Sequence, residues 1–171
     1  MTELDDVWQQ MLANAITSAQ ADGRHDVADY LSLKAANDTI RAAGVAWLFD
    51  SMLEIAALAN RNGPAISIEH TEPFNFAFRA ANLVGSQIRF VHGVRCLTVE
   101  AGWTRTPADG FMRGGALANA RLRHFGMTKA NAELALVRGE NAPIWSDLAT
   151  GEVSGVSTDH LKMHFFKFLN I

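Results

Sequence analysis

The stretch Asn60-Arg61-Asn62-Gly63-Pro64-Ala65-Ile66-Ser67-Ile68-Glu69 divides the chain in two. Before it, apolar residues recur at helical spacing; after it, they recur at every second position. Gly63 suits the left-handed cap of a helix and Pro64 cannot continue one. Ile66 and Ile68 then alternate with Ser67 and Glu69, as in a strand with one buried face. Helices gathered on one side of such a switch and strands on the other point to an α+β fold. The expected architecture is a set of N-terminal helices packed on a mostly antiparallel β-sheet, a meander, with a closing C-terminal helix. It forms a single domain over 1–171, helical over 1–63 and mainly β over 64–171.

Upstream of the switch, Leu4, Val7, Trp8, Met11, Leu12, Ala15, Ile16 and Ala19 keep an i, i+3, i+4, i+7 series over four turns. This predicts an amphipathic helix that starts at a capping box on Thr2 and ends near Asp22-Gly23. A second helix begins at Asp26, with Val27, Tyr30 and Leu31 facing inward. Asn37-Asp38-Thr39 either breaks it or lies inside one longer helix. From Ile40 to Asn60 the helix is apolar over most of its circumference, so it is central to the fold or shared with another subunit.

Downstream, Phe74, Phe76 and Phe78 alternate with Asn75, Ala77 and Arg79. Ile88 and Phe90 lead to a turn near His92-Gly93, and Leu97, Val99 and Ala101 follow. Ala132 to Val137 and Pro143 to Leu148 read as further strands, and Thr150-Gly151 as a hairpin turn into Glu152-Val153. Ala116 to Phe125 has a helix-favouring composition, but its place in the meander makes it a strand. His160 to Leu169 alternates well enough for a strand, but Ser157-Thr158-Asp159 followed by the stripe Leu161, Phe165, Phe168 and Leu169 favours a closing helix.

The chain has 171 residues, 49% hydrophobic and 19% charged, with four Pro and thirteen Gly. That is enough apolar material for one sizeable core and excludes disorder or a fibre. Residues 1–62 carry nine acids and four bases, net −5; residues 63–171 carry nine acids and eleven bases, net +2. Such a weak positive field excludes generic nucleic-acid binding. The apolar run Ala42–Ala59 is interrupted by Asp50 and Glu54, so no membrane span is expected. An acidic start without a secretory pattern and a lone Cys96 fit a cytoplasmic protein.

No phosphate loop, dinucleotide fingerprint, nucleophile elbow or His-Glu-x-x-His helix is present. His160 and His164 share a helical face, but His-x-x-x-His alone recurs by accident, and no metal or cofactor is expected. For acid–base chemistry the pair to examine is Glu100 with His92 or His124. If Glu100 faces inward it needs a partner, Arg121 or Arg95.

The richest segment is the patternless 103–115 loop. Trp103, Arg105, Asp109 and Arg113, with Gly110, Gly114 and Gly115, supply two guanidinium forks, a carboxylate, an aromatic ring and a backbone that a ligand can approach closely. Arg105 and Arg113 would grip a carboxylate or phosphate, with Asp109 or Glu100 orienting them. The competing expectation is a clasp in which Asp109 pairs with one arginine. The functional expectation is a non-catalytic binding or regulatory module that accepts a small anionic ligand. The alternatives are a small-molecule enzyme using Glu100 and a histidine, or an interaction protein acting through its helices. The apolar girth of the central helix points to a homodimer, with Trp8 and Trp47 as anchors.

Overall fold

A computed structural model describes residues 3–150 and 155–171. Thr2 and the turn residues Gly151, Glu152 and Val153 lie outside the described residues. Two helices, α1 (Glu3–Ala21) and α2 (His25–Arg61), precede six strands: β1 (Ser67–Phe78), β2 (Ala81–His92), β3 (Arg95–Trp103), β4 (Ala118–His124), β5 (Ala132–Arg138) and β6 (Pro143–Asp147). Helix α3 (Thr158–Leu169) closes the chain. The strands pair in sequence order, each antiparallel to the next, as an open meander. This is the expected α+β fold.

The Asn37-Asp38-Thr39 segment does not break the helix. Asp38 is only 2% exposed and lies inside α2. Its carboxylate accepts Trp8 Nε1 at 2.8 Å and Arg41 Nη1 at 2.7 Å, and Lys34 Nζ stands 3.8 Å away. A carboxylate supplied with that many donors can be buried, and it ties α1 to α2. Val27 and Leu31 are half-buried, but Tyr30 faces solvent at 63% exposure rather than inward. This part of α2 packs on α1, whose buried positions are few.

Further along α2, Val45, Leu48, Phe49, Met52 and Ala56 pack into one core with Leu161, Phe165 and Phe168 of α3. Both helices rest on the same face of the sheet, against Ile88, Phe90, Leu97, Val99, Leu122, Leu134 and Trp145. By length and composition α2 could cross a membrane, with an 18-residue window of mean hydropathy 1.5. Here its most apolar side is buried against the sheet.

The two halves of β1 present opposite faces. Ile68 pairs with Phe90 and His70 with Ile88, on the helix side. Between Thr71 and Phe74 the register shifts, because Pro73 has no N–H for the ladder and one extra residue is taken in. Phe74, Phe76 and Phe78 therefore turn to the far face with Gly85, Leu83 and Ala81. Phe78, Ala81 and Leu83, flanked by Phe76 and Met112, make a second, smaller apolar cluster there. Gly85 pairs with Gly102, and a Cβ on Gly85 would collide with the Ala101 carbonyl oxygen, so the two strands approach too closely for a side chain there.

Replacing Asp38 by Ala would strand Arg41 and the Trp8 N–H in a buried site. An unfolding titration in urea is expected to show a loss of roughly 2–4 kcal/mol, and Asp38→Asn a smaller one.

Candidate functional site

The 103–115 loop begins where β3 ends. Trp103 is buried among core residues, and the Arg105 guanidinium lies 3.9 Å from the centroid of its ring. Arg105 Nη1 pairs with Asp5 Oδ1 of α1 at 3.1 Å, and Nη2 donates to the Val84 carbonyl of β2 at 3.3 Å. Arg105 thus fastens the first turn of α1 to the sheet.

Asp109 serves its own loop. Its Oδ2 accepts the backbone N–H of Thr106 at 2.9 Å, that of Arg105 at 3.0 Å and the Thr106 hydroxyl at 3.2 Å. The Thr106 N–H, followed by that of Arg105, holds the Asp109 carboxyl below its ordinary pKa. Gly110, at φ 90°, packs so tightly on the β1–β2 turn that a Cβ would meet Ala80 O at 2.6 Å. Asp109 therefore pairs with neither guanidinium.

Arg113 points elsewhere. It is exposed, opens a short turn in which Gly114 and Gly115 have positive φ, and has no ion-pair partner among the described residues. With Phe78, Arg79, Phe111 and Asn119 it lines a recess of about 220 Å³. Phe111, 86% exposed, stands at its rim. The structure does not bring Arg105 and Arg113 to one cavity.

Glu100, 2% exposed, faces the far side of the sheet. It meets Arg121 at 3.3 Å, Arg123 at 3.2 Å and Gln87 Nε2 at 3.4 Å. Arg121 reaches on to Glu133, which also holds Arg79, so the carboxylates and guanidiniums alternate across the strands. Arg121 was one of the two partners expected from sequence; Arg95 donates to the Phe168 carbonyl instead. Glu100 orients neither loop arginine. His124 pairs across from Leu97 on the helix side, and His92 contacts the Ala65 carbonyl, so neither histidine shares a site with Glu100.

Two groups in the loop's first residues are unsatisfied. Trp103 Nε1 and Arg105 Nε are buried donors with no acceptor among the described residues. Both residues line a cavity of about 170 Å³ between α1, α2 and the sheet, together with Ser86, His70, Glu72 and Asp50. Sequence reading selected both residues for the positive charge and the ring, but an orphaned N–H is a property of packing. A larger groove of about 390 Å³ between α2 and the edge strand β6 has no titratable side chain in its wall.

The histidines form a pair that sequence spacing did not suggest. His164 Nδ1 lies 2.9 Å from His124 Nε2 with the rings stacked, whereas His160 Nδ1 caps α3 by accepting the Ser157 N–H. Burial, then the neighbouring His124 and Lys167, push His164 down to about 4. Burial, then Lys167, also lowers His124, whose Nδ1 would have nothing to donate a second proton to. Among the described residues no three His, Cys, Asp or Glu side chains are grouped to hold a metal ion. Compared with known proteins, the chain matches no family model, no curated protein and no solved structure.

Because the folded pKa of His164 lies below the ordinary 6.5, the unfolded chain binds the proton first as pH falls. The stability this ring contributes is complete above that value and is lost between about pH 6.5 and 4. Unfolding free energies from urea titrations across that window are expected to drop, by roughly 1–2 kcal/mol from this ring after solvent screening. The slope should flatten in His164→Gln.

Proposed function

We propose that the protein is a non-catalytic binding module of the cytoplasm that takes a small anionic ligand at the start of the 103–115 loop. The observation that carries this reading is a pair of buried donors without an acceptor, Trp103 Nε1 and Arg105 Nε, on two neighbouring residues that also line one cavity. Buried N–H groups are nearly always paired, so two orphans side by side ask for an acceptor. A carboxylate or phosphate oxygen meets that demand, and the Arg105 charge strengthens the bond. The saturation of Glu100 by three partners supports a binding role over acid–base chemistry.

A thermal-shift screen of small carboxylates and phosphates tests it. Trp103→Phe keeps an aromatic ring but removes the N–H. It is expected to abolish the shift at a stability loss of roughly 1–2 kcal/mol. Arg105→Gln should cost about 2 kcal/mol or more, since it also leaves Asp5 without this partner. Arg113→Gln should change neither; binding lost only in that variant would move the site to the other recess, and no shift in the wild type would end the reading.

We also propose a homodimer formed through the helices. Leu4, Val7 and Met11 make an exposed apolar stripe along α1, which supports it. Trp8 is turned toward Asp38, so of the two tryptophans Trp47 is the accessible anchor. Sedimentation at micromolar concentration should give twice 18.6 kDa, and a clean monomer would rule the dimer out.

A further inference from the structure

We propose that the end of the sheet opposite the 103–115 loop docks on a membrane surface rich in anionic lipid. Strand β3 runs from Arg95 at this end to Trp103 at the other. Four segments meet here: 60–66 after α2, the β2–β3 turn at 92–95, the β4–β5 connection at 124–131 and the last turn of α3 at 166–170. His92 Nδ1 lies 3.2 Å from the Ala65 carbonyl oxygen, and Arg95 Nη1 donates to the Phe168 carbonyl at 3.3 Å. The Phe125 N–H donates to the Cys96 carbonyl at 2.9 Å. These bonds tie the four segments into one surface.

Its turns carry apolar side chains where polar ones are ordinary. His92 pairs with Arg95 across the two-residue turn Gly93-Val94, with Gly93 at φ 59°. The residue after such a glycine is commonly Asn, Ser or Asp, yet here it is Val94, 90% exposed. The neighbouring connection carries Phe125, 76% exposed, and Met127 on either side of Gly126. Side chains so exposed add little to the core. Charge sets this surface apart as well. The four segments contain Arg61, Arg95, Lys129 and Lys167 and no Asp or Glu, whereas the remaining sequence has eleven basic and eighteen acidic residues, net −7. Of the acids that border it, Asp147 lies in the wall of a recess shared by Lys129 and Lys167, and Glu69 is paired with Arg89 at 2.6 Å.

Apolar tips on separate turns, set among cations, fit a bilayer interface. A rigid partner would need a matching pocket for each tip, whereas lipid headgroups part around apolar groups at any spacing. Lysine and arginine beside the tips reach the phosphates and carboxylates of anionic lipids. A nucleic acid would use the cations but leave Val94 and Met127 in water. The exposed stripe of α1, Leu4, Val7 and Met11, is flanked instead by Glu3 and Asp6, which an anionic surface repels.

Co-sedimentation of the full chain with vesicles tests the docking. Vesicles of phosphatidylcholine and phosphatidylserine in equal parts are expected to bind it about tenfold or more tightly than phosphatidylcholine alone, and added salt should narrow the difference. Val94→Ser combined with Phe125→Ser, both at exposed positions, should keep the melting temperature and weaken binding to the mixed vesicles about tenfold. Lys129→Gln combined with Lys167→Gln should weaken it by a similar factor, about tenfold. Tyr30→Ser, exposed on α2, should leave it unchanged. Unchanged binding in either double variant overturns the proposal, as does equal binding to both vesicles. A chain that binds neither vesicle overturns it too, and if that chain binds a single-stranded oligonucleotide the surface serves a polyanion instead.

Discussion

Between Thr71 and Phe74 the first strand takes in one more residue than its partner, and every side chain beyond that point changes face. Without that shift Phe74, Phe76 and Phe78 would join Ile66 and Ile68 on the side already filled by α2 and α3. With it, the antiparallel sheet gains apolar cover on the face that such sheets commonly leave to water. The second cluster gives Met112 a seat, and Gly110 presses the loop against Ala80, so the loop that follows β3 is held at both faces. The same cover places the Phe78 ring against the Arg121 guanidinium and removes Glu100 from solvent. The loop's conformation thus depends on a bulge some thirty residues earlier in the chain.

The polar groups of this molecule divide by whether their hydrogen-bonding capacity is filled. Glu100, Asp38 and Asp109 are each surrounded by donors, and each holds elements together: strands, the helical hairpin and a loop. Filled networks of this kind fix one arrangement and resist change, because removing any member leaves a buried group unpaired. Such a carboxylate is a poor candidate for binding or proton transfer. Trp103 Nε1 and Arg105 Nε are the opposite case: buried N–H groups whose capacity is unfilled among the described residues. This contrast, more than charge or position in the loop, separates the structural arginines and acids from those at the cavity.

Much of the fold could be read because its signals are local. The helical series from Leu4, the stop at Gly63-Pro64 and the alternation around Val99 each follow from spacing within a few residues. The face of the phenylalanine row could not be read. Ile66, Ile68, Phe74, Phe76 and Phe78 all fall on even positions, so periodicity alone puts them together, and only Pro73 hinted that the ladder is interrupted. Asp38 left a break and a continuous helix equally open, because its partner Trp8 becomes visible only when α1 folds back. In the loop, Trp103 and Arg105 stood out by residue type, but nothing in the sequence separates Arg105, engaged by Asp5 a hundred positions away, from Arg113, which has no such partner. Asp50 passed as part of a polar strip on a helix, since a cavity between three elements has no signature in any one of them.

Arg105 gives Nη1 to α1 and Nη2 to β2, while its buried Nε has no acceptor among the described residues. A guanidinium is planar and rigid, so these directions are not independent. An acceptor bound at Nε fixes the plane of the fork and with it the angle at which Asp5 is met. By thermodynamic reciprocity, the docking of α1 then favours the same acceptor by an equal free energy. Helix α1 is held also by the Trp8–Asp38 bond, by Lys34 over the Trp8 ring and by its buried residues Asp5, Leu12 and Ala19. It also carries the exposed stripe of Leu4, Val7 and Met11. An acceptor at Arg105 Nε would therefore be felt at Asp5, and through it in the presentation of that stripe.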